Sequence, residues 1–213
     1  MVRTGRRAAA LAEILQRVGL GAASAPPTPR LPLLTPASRS EVLTMYRALG
    51  GNHPEPHFRP GSWDLVCEGG LIVELDEELH FNRYRAQTLD GDWAKDLPWT
   101  TPYKEQCTRF ESLCMKAGRW GKRWTNPSTE KLFGEPASPG DLDGVGGAPR
   151  WKQRALYDCM KDMWALDQGV QLARISVHDR ISDRTVEDAL NEGSRSHDQA
   201  IVDLVAARRL HHP

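Results

Sequence analysis

The sequence shows no excess of charge of either sign, few cysteines and no apolar run long enough to cross a membrane. Lysine plus arginine total 28, as do aspartate plus glutamate, so no global basic field draws the chain to a polyanion. Any nucleic-acid contact must come from a local patch. The four cysteines, Cys67, Cys107, Cys114 and Cys159, are too few and too scattered for a disulfide framework, so reduced thiols and a cytoplasmic location are expected. Glu13, Gln16 and Arg17 interrupt the Ala/Leu-rich start before a signal-peptide core can form. No membrane partner is expected. No internal repeat is visible either. What is present, 213 residues with 39% apolar content, suits one globular domain with a full core and a tail or insertion.

Residues 5 to 18 read as a short amphipathic helix and the stretch after it as a proline-rich connector, so the chain divides into an N-terminal segment, 1–37, and a folded domain, 38–213. In "SRSEVLTMYRALGG", Ser38 offers an N-cap, Leu43, Tyr46 and Leu49 fall at helical spacing, and a Gly pair ends the run. "WDLVCE" and "LIVELD" are strand-like, and "EELHFNRYRAQTL" is helical. Residues from about 90 to 150 are rich in Trp, Gly and Pro with short periodic pieces, and read as an insertion. "WKQRALYDCMKDMWALDQG" is a strong helix stopped by Gly169, "VQLARISV" a strand, and the tail from Asp183 one or two helices. This order predicts an α/β fold, a mixed sheet flanked by helices.

The two strand-like runs carry Asp64, Glu74 and Asp76 where a buried strand should carry no acid. Side chains alternate along a strand, so Glu74 and Asp76 share a face with Ile72. Opposed residues of a hairpin point to one side, and a Glu68-Gly69-Gly70 loop pairs Cys67 with Leu71 and Asp64 with Glu74. A Gly69-Gly70 turn alone would separate them. Clustered carboxylates resist desolvation, and a divalent cation compensates them. Oxygen-only ligands suit Mg2+ or Mn2+, ions that polarise a phosphodiester and activate a water.

At these residues the chain resembles the PD-(D/E)XK, or restriction-endonuclease-like, superfamily, and within it the branch of very short patch repair endonucleases and their bacterial relatives. The pattern is an acid on one strand (Asp64), an apolar strand ending Glu-x-Asp ("LIVELD", with Glu74 and Asp76), then a His and an Arg-bearing helix start ("HFNRYR", with His80, Arg83 and Arg85). The later "RALYDCMKDMWALDQGVQLARISV" is similar to that branch's helix carrying Arg, Asp and Lys, followed by Gly and a strand containing Arg. The superfamily's Lys two residues after the Glu is Asp76 here. Some members supply that charge from the next helix, where Lys161 is the candidate. The resemblance implies a restriction-endonuclease-like sheet and DNA cleavage with magnesium or manganese. Asp64 and Glu74 would hold the metal with Asp76 assisting, Lys161 would neutralise the phosphate, and His80 and Arg83 would position or protonate.

Plainer readings stand beside these. Asp64 and Glu74 could line a solvated sheet face. Glu41 could complete a metal site, though "SRSE" is also a capping box that explains it. His80 could be structural. Cys107, Cys114, His53 and His57 invite zinc, but their spacing argues against it. "MKAGRWGKRWTNPSTEK" interleaves Arg119, Lys122 and Arg123 with Trp120 and Trp124, which suits nucleic-acid contact as well as a basic turn with inward tryptophans. Arg154 shares the helix face of Lys161 and is a further candidate for nucleic-acid contact. The competing function is a nucleic-acid-binding or interaction module without catalysis. The two separate on whether Lys161 or Arg154 points at the acids.

Overall fold

The loop of Glu68, Gly69 and Gly70 sets the geometry of everything near the acids. In the computed structural model, which describes residues 5–210, Gly69 and Gly70 take φ of 76° and 80°, a left-handed conformation that costs glycine nothing. The Cys67 N–H donates to the Leu71 carbonyl at 2.8 Å and closes the hairpin. Strand β1 (Leu65–Val66) therefore pairs antiparallel with β2 (Ile72–Asp76), Leu65 opposite Val73 and Val66 opposite Ile72. Continuing that register places Asp64 opposite Glu74, the expected parity.

Strand β3 (Leu172–Ser176) lies parallel to β2 on its other side, with Glu74 beside Arg174 and Asp76 beside Ser176. Parallel neighbours need a long crossover, and the whole span from Glu77 to Gln171 serves as one. It contains α3 (Arg83–Thr88), α4 (Thr100–Gly118), α5 (Pro127–Phe133) and α6 (Pro149–Gln168). Helix α6 starts on a proline, which loses no helical hydrogen bond at that position, and stops at Gly169 in the left-handed conformation. It is buried nearly all round: α2 (Pro36–Ala48), α3 and α5 pack against it, and its Asp158, Lys161 and Asp162 meet the sheet face carrying Glu74 and Arg174. Beyond β3, a small hairpin of β4 (Arg180–Ile181) and β5 (Arg184–Thr185) leads to α7 (Val186–Glu192) and α8 (Asp198–Ala207). The fold is thus a mixed α/β sheet flanked by helices.

The N-terminal helix α1 (Arg6–Arg17) packs on α7 and α8, and Arg7 bonds Glu77, Glu78 and Glu187. The chain after it pairs along β1, where the Ala23 N–H donates to Val66 and Glu68 to Gly21, each at 2.8 Å.

Three local expectations are corrected. Helix α2 begins at Pro36 with Thr35 as its cap; the Thr35 hydroxyl accepts from the Ser38 N–H at 3.2 Å, so the Ser38–Glu41 capping box does not form. The run after β2 is not one helix, because Asn82 breaks it: its side chain accepts from the Tyr84 and Arg85 N–H groups and starts α3 afresh, leaving Glu78–His80 as a single tight turn. The insertion is more helical than its composition implies, since α4 alone runs 19 residues and buries Tyr103, Cys107 and Cys114.

Candidate functional site

Asp64 and Glu74 meet across the hairpin through the backbone. The Asp64 N–H donates to Glu74 Oε1 at 3.1 Å, and the Asp64 carboxylate accepts from the Leu75 N–H at 3.0 Å. From α6, Lys161 Nζ reaches both Glu74 oxygens at 2.9 and 2.7 Å and the Ser62 carbonyl at 2.9 Å, over the Trp63 ring. Glu74 is 3% exposed and Lys161 7%, whereas Asp64 lies at the surface with its carboxylate partly shielded against the Leu75 backbone. Burial pushes the Glu74 carboxyl up to about 7; Lys161 pulls it down, and the Asp64 charge raises it again. Asp64 is raised too, first by desolvation and then by Asp76.

Asp76, on the same face of β2, is held differently. Arg174 Nη1 donates to both its oxygens, at 3.0 and 2.9 Å, and the Tyr103 hydroxyl donates to Oδ2 at 2.9 Å. Arg174 also pairs with Asp162 at 2.5 Å, and Asp162 with Arg85 at 2.8 Å, all fully buried. His80 sits one turn beyond Asp76 with Nδ1 at 2.8 Å from Asp158 and 3.2 Å from Asp76. Desolvation works against a charged imidazole, yet Asp158 and Asp76 together hold the His80 pKa above its ordinary value. Asp158 is the mirror case: burial would raise it, but His80 and Arg174 hold it far below the carboxylate range.

The expected site residues thus divide. Asp64, Glu74, Asp76, His80 and Lys161 come together, and Lys161 is the one that points at the acids. Arg154 does not; it donates to the Leu79 carbonyl at 3.2 Å. Arg83 lies away from the cluster: as the first residue of α3, directly after the Asn82 cap, it bonds Glu111 of α4 at 2.8 Å and Asp143. In the insertion Trp120 is 62% exposed with Arg119 over its ring, whereas Trp124 is buried and donates to the Ala137 carbonyl at 3.0 Å. Arg123 donates to the Ala117 carbonyl, and Lys122 is exposed. The cysteines are buried free thiols, and His53 and His57 lie elsewhere, in a surface groove. Sequence reasoning passed over Tyr103 and the pairing of Arg85 with Asp162, and it registered the strand arginine, Arg174, only as part of the resemblance, with no role. An arginine in the middle of an otherwise apolar strand is the signal that a buried acid faces it.

Two groups of side chains have donors for a metal. Asp64 and Glu74 offer hard oxygens on one side of the sheet, the donor type that suits Mg2+ or Mn2+, and both Glu74 oxygens are bonded by Lys161. Lys161 is the cation Glu74 holds in this structure. The other group, Asp76, His80 and Asp158, has its ligand atoms within 4.8 Å of one another. A nitrogen donor suits a transition ion better than magnesium, and the Asp76 oxygens are already taken by Arg174 and Tyr103. A proton on His80 explains that group without a metal.

Fold and site together define a mixed α/β domain with acids and cations buried at one face of its sheet. The chain belongs to a family of unknown function (DUF7255), whose model matches residues 44–192, a span that takes in the site from Asp64 to Arg174. Comparison with curated proteins and with solved structures returns no match. Among the described residues, no helix is long and apolar enough to cross a membrane.

Proposed function

We propose that this chain is a metal-dependent endonuclease of restriction-endonuclease-like architecture, hydrolysing DNA phosphodiester bonds in the cytoplasm with magnesium or manganese. The observation that carries this reading is Lys161, brought from a separate helix onto Glu74 beside Asp64. That arrangement puts a positive charge where the Glu-x-Asp motif lacks its own lysine. Asp64 and Glu74 would hold the ion, which when bound polarises the phosphate and lowers the pKa of a water. Lys161 neutralises charge building on the phosphate oxygens, where a fixed, desolvated cation acts most strongly. His80 keeps a proton at Nδ1 between Asp158 and Asp76, and its ring is 22% exposed, so it can meet a phosphate or a leaving oxygen. Arg174 fixes Asp76 and thereby His80. Trp120, with Arg119, Lys122 and Arg123, offers a nucleic-acid contact outside the site.

A second reading, a binding module without catalysis, draws on the same ion pairs: Arg174 already neutralises Asp76 and Asp162 without a metal. Cleavage of plasmid and single-stranded DNA with magnesium or manganese separates the two. Wild type should cleave and Glu74→Gln, folded, should lose cleavage while keeping nucleic-acid binding. A wild type that cleaves no nucleic acid, or a Glu74→Gln variant as fast as wild type, assigns the binding module instead.

A further inference from the structure

A groove of about 610 Å³ runs between the segment ahead of β1, helix α5 and the first turns of α6. Arg59, Lys131 and Arg150 line it, with His53 and His57 beside them and Glu55 as the one carboxylate. Among the described residues none of those three cations is ion-paired. The Arg59 side chain and Lys131 are exposed, and Arg150 donates to the neutral amide of Gln153. This contrasts with the sheet face, where Arg85, Lys161 and Arg174 are all matched by acids. In a chain of zero net charge, unmatched cations gathered in one concavity are a local positive field.

Two residues of the groove adjoin the candidate site along the chain. Tyr157 lines it, one residue before Asp158 and one turn before Lys161 on α6. Gly61 lines it too, next to Ser62, whose carbonyl holds Lys161. The Tyr157 hydroxyl accepts from the Arg59 N–H at 3.2 Å and ties the two walls together. We infer that this groove binds the phosphodiester backbone of a nucleic-acid strand, with Arg59, Lys131 and Arg150 on successive phosphates and Tyr157 at the end nearest Lys161. The inference rests on the proposed nuclease reading for the direction in which the strand runs, not for the binding itself. Placement beside the acid cluster favours a nucleic acid over an acidic protein segment.

The test is the fluorescence anisotropy of a labelled twelve-residue oligothymidylate in EDTA, titrated with the full chain at several NaCl concentrations. The comparison is with Arg59→Gln/Lys131→Gln/Arg150→Gln, checked for an unchanged melting curve, and with Lys131→Gln alone. Each lost phosphate contact on a single strand lowers the slope of log K against log salt by about 0.7, so the triple variant should lose about 2 and the single variant about 0.7. Affinity of the triple variant near 0.1 M salt should fall at least about tenfold. Unchanged slopes in both variants overturn the inference, as does a wild type that binds no oligonucleotide. Competition by polyglutamate equal to that by the oligonucleotide would instead assign an acidic protein segment and overturn it too. Cleavage by wild type with normal binding by the triple variant sinks the groove and leaves the nuclease. Groove-dependent binding without cleavage does the reverse.

Discussion

Burial raises the Glu74 carboxyl to about 7, and Lys161 is what keeps it from rising further. Breaking a buried pair by removing one partner leaves an uncompensated charge, and such losses run to about 3–5 kcal/mol. At pH 8, above the value to which the Glu74 carboxyl is raised, Lys161→Met should therefore destabilise by about 3 kcal/mol in urea unfolding. The Lys161→Met/Glu74→Gln double variant should recover most of it, a coupling that a double-mutant cycle reads directly. Additive losses would show that the two side chains do not depend on each other. The neighbouring His80 gives a second prediction. Its pKa is raised in the fold, so its contribution is complete below the ordinary imidazole value of about 6.5 and is lost as pH rises through the higher folded value. Asp158 is lowered, so its contribution is complete above about 4 and is lost as pH falls toward the folded value. The His80 and Asp158 contributions are both complete only between those limits, and His80→Gln should lower the melting temperature there and flatten its fall above about 6.5. A variant with the wild-type alkaline slope would place that titration elsewhere.

Among the elements, the basic turn after α4 is where two tryptophans of one motif part company. Trp120→Ala removes an exposed ring and should leave stability within about 0.5 kcal/mol, whereas Trp124→Ala empties a core site packed on Trp151 and should cost about 4 kcal/mol. If the turn grips nucleic acid, Trp120→Ala/Arg123→Ala weakens binding and flattens its salt dependence with metal affinity intact. Unchanged binding at several salt concentrations removes the turn as a nucleic-acid contact. What the chain reveals before folding is what local rules control. The loop of Glu68 to Gly70 sets the hairpin parity, and with it the meeting of Asp64 and Glu74. Gly169 ends α6, and the spacing of Asp158, Lys161 and Asp162 puts them on one face. The partner of Asp76 could not be read that way, because the register placing Arg174 beside Glu74 joins strands about 100 residues apart and no turn dictates it. The length of α4 was hidden for a related reason: its buried positions, Tyr103, Cys107 and Cys114, lie among charged residues and carry little apolar contrast. Asn82 was a legible cap that the apolar periodicity around it obscured.

At the scale of the whole molecule, a ligand that binds only the folded chain stabilises all of it by mass action, so an ion at Asp64 and Glu74 should be visible in global unfolding. Saturation at one hundred times the dissociation constant is worth about 2.7 kcal/mol. Manganese should therefore raise the wild-type melting temperature by several degrees, and Glu74→Gln, which keeps the shape but lacks the charge, should show little shift. The Glu74 carboxyl is raised to about 7, so below that pH a proton competes with the ion and above it the carboxylate is free. The manganese shift should be small at pH 6 and grow to pH 8, although stability without metal changes the other way: a carboxyl raised in the fold favours folding while protonated and loses that contribution between about 4.5 and 7. The opposite slopes with and without metal distinguish binding at this site from adventitious surface binding, which would shift wild type and Glu74→Gln alike. A shift equal in both proteins, or one that shrinks from pH 6 to pH 8, removes Asp64 and Glu74 as metal ligands and leaves Lys161 as the permanent counterion of a site that works without one.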